Sequence, residues 1–408
     1  MKTIRHLFLL AMPLLTAMAN ANTAITPDGS QSFITNARQT AKQMYPGWNL
    51  GNTMEAIGGE TSWQGTKTTQ QLIDCVKSQG FKSVRIPCSW DIHCNADGRI
   101  DTDWMQRVKE IVDYCINDSL YVVLNDHWDG GWMEVRGFSK TTSRYEVVDE
   151  DTIMAKTARL KDLWTQIATT FRDYDDHLLL AGLNEPFQQY DLFSTHHKEL
   201  TPILQRYNQA FVEAVRATGG NNATRCLVVQ APSTNVSSAT DADIDFQMPT
   251  DPSGEGKLMV EVHYYDPWEF CGQETDGKWF WGEANHVGDG QHDCTWGEEE
   301  HVKAQMQKLY NRFVKNGVPV IIGENGVVWR QLPAHQQEHD ASVKSWFKCL
   351  NTMAASCGCV TMLWDINVAN QQGERGTHTV IDRATLSIFC TPALEGIREG
   401  VAAAVWPY

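Results

Sequence analysis

The chain has 408 residues, 42% of them hydrophobic, and a formal net charge of −16. That hydrophobic share supports a large core and excludes global disorder. The acidic balance repels phosphate backbones and excludes nucleic acid as a partner.

Lys2, Arg5 and His6 precede an apolar run from Leu7 to Met18, and Ala19-Asn20-Ala21 supplies a small-x-small cleavage site. Residues 1–21 therefore read as a secretory signal. Its removal takes away Lys2 and Arg5 and no acidic residue, so the formal charge moves from −16 to −18. The apolar run is too short to span a bilayer comfortably, and no later stretch looks transmembrane. The expected product is periplasmic or secreted, without a membrane partner. Residues 22–408 form one domain, expected to work as a monomer.

Strand-like and helix-like runs then alternate. Gly47–Leu50 reads as a strand, followed by a helix from Thr69 that Gly80 stops. Ser83–Ile86 is the second strand. The helix from Thr102 places Met105, Val108, Val112 and Cys115 on one face at helical period. Tyr121–Leu124 leads to a helix from Thr152, and Leu178–Leu183 to a helix that Thr201-Pro202 starts and Gly219 ends. Cys226–Val229 is followed by loop with no clear helix, then Leu258–Val262 and a helix from Glu298. Pro319–Gly323, a helix from Asp340, Val360–Trp364 and a helix from Thr391-Pro392 complete the series. The strands are apolar without alternation, as strands buried on both faces of a parallel sheet should be. Eight strand–helix units imply a closed (β/α)8 barrel, a fold of about 250 residues that long loops can extend beyond 400.

Eleven cysteines make disulfides possible after export, though an odd number leaves one over. Cys271 and Cys294 bracket a long loop, residues 269–297, and are expected to staple it. That loop should overhang the barrel mouth and expose Trp279-Phe280-Trp281. His286, Asp289, His292 and Asp293 within it read as a solvated polar loop rather than a cation site. Cys357-Gly358-Cys359 is too short for a zinc knuckle, and no metal or cofactor is expected.

Polar residues gather just past the strands: Asn49 and Asn52, Arg85, Asp126 and His127, Asn184 and Glu185, His263 and Tyr265, Glu324, Trp364 and Asp365. In a (β/α)8 barrel these strand ends converge on one mouth, which carries the active site. Two carboxylates there, Glu185 and Glu324, meet the need of glycoside hydrolysis for one proton donor and one ionised group. Neighbours must hold their pKa values apart, and Arg85 is expected to keep its partner carboxylate ionised.

The motifs carry a resemblance. Gly47-Trp48-Asn49-Leu50-Gly51-Asn52-Thr53, Val84-Arg85-Ile86-Pro87, Leu183-Asn184-Glu185-Pro186, His263-Tyr264-Tyr265 and Gly323-Glu324-Asn325-Gly326 resemble, in order and spacing, glycoside hydrolase family five, the cellulase family of retaining (β/α)8 glycosidases. The resemblance implies Glu185 as general acid/base and Glu324 as nucleophile. It implies Asn184 at the sugar 2-hydroxyl or the covalent nucleophile's oxygen, Arg85 and Tyr265 holding Glu324, His127 and His263 positioning acid and sugar, and Trp364 stacking under the sugar. Two positions depart from the family's common pattern. Trp128 follows His127 where many members have a second histidine, and Leu363-Trp364-Asp365 stands where Trp-Trp-Asp is frequent.

Fifteen tryptophans fit a partner that is a β-linked polysaccharide, whose apolar ring faces pack on flat aromatics. Trp63, Trp90, Trp128, Trp132, Trp268, Trp279, Trp281, Trp296 and Trp329 fall in expected mouth loops. Serine-esterase, zinc-peptidase and nucleotide-binding motifs are absent. The expectation is a retaining endo-β-1,4-glucanase, with xyloglucan or mixed-linkage activity close behind and mannanase third. A non-catalytic binding protein is the remote alternative, against which both carboxylates speak.

Overall fold

The computed structural model describes residues 36–139, 141, 144–187, 192–368 and 375–408. The expected signal segment lies outside them.

In chain order the elements are α1 (Ala37–Gln43), β1 (Gly47–Leu50), α2 (Gln70–Ser78), β2 (Ser83–Ile86), α3 (Thr102–Asn117), β3 (Tyr121–Asn125), the hairpin β4 (Arg136–Ser139) and β5 (Arg144–Val147), α4 (Glu150–Thr170), β6 (Leu178–Ala181), α5 (Leu192–Ala217), β7 (Leu227–Asn235), α6 (Val236–Thr240), β8 (Leu258–Tyr264), α7 (Trp268–Cys271), α8 (Glu299–Arg312), β9 (Val320–Asn325), α9 (Gln336–Ser356), β10 (Cys359–Asp365), β11 (Ile381–Asp382), β12 (Ser387–Ile388) and α10 (Thr391–Ala403). Strands β1, β2, β3, β6, β7, β8, β9 and β10 close into a parallel barrel in sequence order, as expected.

Side chains alternate across each strand, so every second residue points into the barrel. Val123, Leu179, Val228, Met259, Ile321, Val360 and Met362 fill its interior. Helix α1, which the sequence reading did not anticipate, plugs the bottom with Ala37, Ala41 and Met44. The intervening residues, such as Val122, Leu124, Leu178, Leu180, Val260 and Ile322, pack outward against the helices. Continuing the inward parity on β8 past Met259 gives Glu261, His263 and, just beyond the strand, Tyr265, so one segment delivers three polar groups to the upper barrel.

Strand β9 would send Glu324 outward, because Ile321 points in. A register shift corrects this. Val262 pairs with Ile322, but His263 pairs with Glu324, so Gly323 is an extra residue in the ladder. Such bulges re-aim side chains beside active sites. A Cβ on Gly323 would stand 1.8 Å from Glu261 Oε1, so only glycine fits the bulge.

Other differences have local causes. The loop after β7 does hold a helix, but α6 has only five residues, too few to give a periodic signal. Thr201-Pro202 does not start α5. The helix begins at Leu192, leaves helical geometry at His196 (φ −127°), and accommodates Pro202 just beyond. Cys271 and Cys294 are free buried thiols, as are or partly are the other nine cysteines, and no staple forms. Trp279-Phe280-Trp281 is not exposed. Trp281 is fully buried and donates to Gly297 O at 2.9 Å, while Trp279 stacks on His292 at 3.6 Å. The loop thus carries a small core of its own. Its polar groups are used internally, as a polar loop's should be: His286 faces Glu298 at 2.8 Å, His292 faces Asp289 at 2.6 Å, and Asp293 accepts the Val287 and Gly288 amides.

Gly323→Ala is expected to lower stability by about 1–3 kcal/mol, the usual cost of forcing atoms into a packed site. It should also displace Glu261 and cut kcat/KM more than tenfold, roughly 1.4 kcal/mol of barrier. Urea unfolding and steady-state kinetics check both.

Candidate active site

Arg85 lies near the end of β2 with its guanidinium entirely buried. Its Nη1 donates to Asn49 Oδ1 at 3.0 Å and to Glu324 Oε1 at 3.1 Å, and its Nη2 donates to Asn184 Oδ1 at 2.6 Å. Its Nε lies 2.9 Å from Glu261 Oε1. One planar fork thereby ties together residues from β1, β2, β8, β9 and the end of β6. Guanidinium only donates, so the oxygen of Asn184 must face it and the Asn184 amide nitrogen is free to face the cleft.

Glu324 is held on both oxygens, since Tyr265 donates its phenol to Oε2 at 3.2 Å. His263 bridges the carboxylates. Its Nδ1 lies 2.7 Å from Glu185 Oε1 and 3.6 Å from Glu324 Oε2, and its Nε2 lies 3.3 Å from Glu261 Oε1. The facing atoms of Glu185, His263 and Glu324 all lie within 4.8 Å of one another. A retaining pair stands about 5–5.5 Å apart and an inverting pair about 6.5–9.5 Å, and facing atoms this close are nearer the retaining arrangement. The same three side chains are the one buried group among the described residues that could gather round a cation, but Arg85 already supplies positive charge there.

Burial works against a charge on His263, but Glu324, Glu185 and Glu261 outweigh it and push its pKa up to about 9. It is an imidazolium at neutral pH, donating from both nitrogens. Burial also raises Glu261, but Arg85 and His263 overcome this and hold it below the ordinary carboxylate range. At Glu324 the balance differs from expectation. Burial raises its pKa, and the opposing pull of His263 and Arg85 leaves it above the ordinary value. The Tyr265 phenol is raised well above its usual range by burial and by Glu324 and Glu185, and stays a donor. His127 is driven well below its usual value by burial and by the charges of Arg85 and His263, so it is neutral.

The structure brings together Arg85, Asn184, Glu185, His263, Tyr265 and Glu324. His127 lies near them, its ring parallel to that of Trp364 at 6.0 Å. Trp128 is exposed and lines a cavity of about 400 Å³ that Glu185 also faces. Asn52 stands apart. It occupies the turn beyond β1 at φ +56°, its amide held by Glu55, and Asn49 is the β1 residue that reaches Arg85. Trp329 is half-buried, packed on Phe389 and donating to Asp340 at 2.8 Å. Of the loop tryptophans, Trp63, Trp128, Trp268 and Trp296 are exposed, whereas Trp90 and Trp281 are fully buried. Trp268 meets Tyr265 edge-on at 6.1 Å, and Trp63 lines a second cavity, about 310 Å³, beside Asn367 beyond β10.

Glu261 and Gln230 belong to the site and escaped the sequence reading. Gln230 donates to Glu261 Oε2 at 2.7 Å and accepts the Leu183 amide at 2.7 Å, bracing the strand end that carries Glu185. Their signal was a polar residue at inward parity inside an otherwise apolar strand.

The sequence profile of Cellulase (glycosyl hydrolase family 5) matches residues 49–370. The chain belongs to glycosyl hydrolase family 5. It is a glycoside hydrolase of the endoglucanase type. Endoglucanase B of Clostridium cellulovorans is 33% identical over 374 residues, 90% of this chain and 76% of that protein. A family 5 xyloglucan-specific β-1,4-glucanase from a ruminal metagenomic library, solved with XXLG, is 56% identical with a TM-score of 0.86, covering 92% of this chain and 98% of that one. The Bacteroides ovatus family 5 xyloglucanase, solved with a XXXG heptasaccharide, is 31% identical with a TM-score of 0.81, covering 93% and 79%. Among the described residues no helix is long and apolar enough to cross a membrane.

The raised pKa of His263 makes a signed prediction. Its imidazolium contributes stability fully below the unfolded pKa of about 6.5 and loses it as pH rises through about 9. Urea unfolding at pH 6 and pH 10 should show wild type losing roughly 3 kcal/mol more than His263→Gln over that interval. Equal losses in the two proteins would mean that His263 is not charged in the fold.

Proposed function

We propose that this family 5 enzyme cuts its glucan backbone by double displacement, with Glu324 as nucleophile and Glu185 as general acid/base, and that xyloglucan is its preferred polymer. The observation that carries the assignment of roles is the asymmetry of the pair. The Glu324 side chain is 8% exposed and pinned by Arg85 and Tyr265, whereas that of Glu185 is 25% exposed and, among the described residues, held by His263 alone. A nucleophile needs fixed aim, and an acid/base must reach the leaving oxygen and then a water.

In the first step a Glu324 oxygen bonds to the anomeric carbon as the glycosidic C–O bond breaks, and Glu185 gives its proton to the departing oxygen. In the second, Glu185 takes a proton from water, whose oxygen displaces Glu324 and restores both carboxyl groups. The Asn184 amide nitrogen, turned outward because Arg85 holds its oxygen, donates to a sugar hydroxyl beside the breaking bond. Neutral His127 and the flat face of Trp364 support the same sugar.

The polymer choice rests on the 56% identity with a xyloglucan-specific enzyme over nearly the whole chain. Space agrees with it. A branched glucan needs room beside its backbone, and a cavity of about 400 Å³ with an exposed tryptophan, Trp128, opens beside Glu185. We also infer from the sequence that residues 1–21 direct export and that residues 22–408 act as one monomeric catalytic unit.

Wild type and Glu324→Gln should be run side by side on xyloglucan, barley β-glucan, carboxymethylcellulose and glucomannan. Wild type should release oligosaccharides from xyloglucan with kcat/KM at least about tenfold above the others, equivalent to roughly 1.4 kcal/mol of barrier. Glu324→Gln should release none while still binding polymer. A preference for glucomannan or carboxymethylcellulose would overturn the polymer assignment, and activity in Glu324→Gln would overturn the nucleophile. Glu185→Ala should lose kcat/KM on unactivated oligosaccharides by about 10²–10⁴-fold and far less on activated aryl glycosides, which need little acid assistance.

A further inference from the structure

Beyond Glu185 the chain turns sharply through Pro186 to Phe187, whose φ is +63°. A non-glycine residue in this left-handed region costs about 1–3 kcal/mol and persists only where its surroundings enforce it. The turn decides where Glu185 points, so whatever enforces it acts on the acid/base. On the near side Gln230 accepts the Leu183 amide at 2.7 Å. On the far side the Phe187 ring is buried and packs on Tyr207, centroids 5.9 Å apart. The Phe187 amide is taken by the carboxylate of Glu134.

Glu134 comes from the loop between β3 and β4, far from Glu185 in sequence, and the mechanism above leaves it unused. It lines the same cavity as Glu185, Asn184, Trp128, Phe187 and Tyr207. Burial pushes its pKa up to about 7, against the pull of the Phe187 amide, Lys156 and Arg136. A carboxylate kept at such a cost in a largely apolar cavity needs a task, and the backbone amide it takes belongs to the strained residue of the acid/base turn. We propose that Glu134 is a positioning residue for the general acid: by holding the Phe187 amide it locks the turn that aims Glu185 at the leaving oxygen. This rests on the assignment of Glu185 as acid/base.

Leaving-group dependence separates this role from a merely structural one. The value of kcat/KM reports only the steps through bond cleavage, so aim of the acid matters for poor leaving groups and hardly at all for 2,4-dinitrophenyl glycosides. The proteins to compare are wild type, Glu134→Leu, Glu134→Gln, and Glu185→Ala as a control, each on a xyloglucan oligosaccharide and on a 2,4-dinitrophenyl β-glycoside. Glu134→Leu should lose about 10–100-fold on the oligosaccharide and less than about threefold on the activated glycoside. Glu134→Gln should stay near wild type, because its amide oxygen still accepts the Phe187 N–H. Should Glu134→Leu not fold, Glu134→Ser, polar but too short to reach Phe187, takes its place with the same expectation. Equal losses on both substrates, no loss on either, or a Gln variant as impaired as the Leu variant would overturn the proposal. If Glu185→Ala itself shows no leaving-group dependence, the acid/base assignment fails first; if it does and Glu134→Leu does not, only the role of Glu134 fails.

Discussion

A single buried guanidinium organises this molecule's chemistry. Arg85 sits inside the barrel with no solvent, and desolvating such a charge costs several kcal/mol unless its geometry and partners are good. Here they are: Asn49, Asn184 and Glu324 take its terminal donors and Glu261 stands 2.9 Å from its Nε. The fork fixes angles as well as charge, and a lysine, with one point charge and no plane, could not hold four groups from four other segments in register. The residues around it follow from that constraint. Glu261 must be ionised to balance it, Gly323 must lack a side chain to leave room for Glu261, and the bulge that Gly323 makes is what turns Glu324 inward.

Charge balance then sets the working state. Glu185, Glu261 and Glu324 face Arg85 and a protonated His263, so the carboxylates are not left to repel one another. His263 faces all three. Glu324 pays for its burial with a raised pKa, yet every hydrogen bond it receives favours the anion. Glu185 is more exposed, and among the described residues it meets only His263. The unlike surroundings of two like side chains divide the labour of the reaction.

How much of this was readable in the sequence depends on the kind of signal. The barrel strands were legible because short, mostly apolar runs recur between helical stretches, and the active-site residues because they stand at or just past the ends of those runs. The endoglucanase-type family assignment, made from five short motifs, was legible for the same reason. Glu261 was hidden inside the apolar run Leu258–Val262, where only its parity with His263 and Tyr265 marks it as inward. Asn52 and Asn49 are both plausible by position, and only the turn geometry separates them. The Trp279–Trp281 cluster and the Cys271–Cys294 pair were misread because a long loop that folds on itself has no periodicity to declare its buried face. Glu134 could not be found from sequence, since its partner is a backbone amide more than fifty residues away.

The central claim is that the Arg85 network presents Glu324 as a covalent nucleophile. Incubation with a 2-deoxy-2-fluoro glycoside bearing an activated leaving group slows breakdown of the glycosyl-enzyme enough to trap it, and mass spectrometry of the digested protein locates the adduct. The account predicts one sugar per chain, attached to Glu324 and absent from Glu324→Gln. A protein that turns over the reagent without an adduct, or an adduct on Glu185 or any other residue, would contradict it.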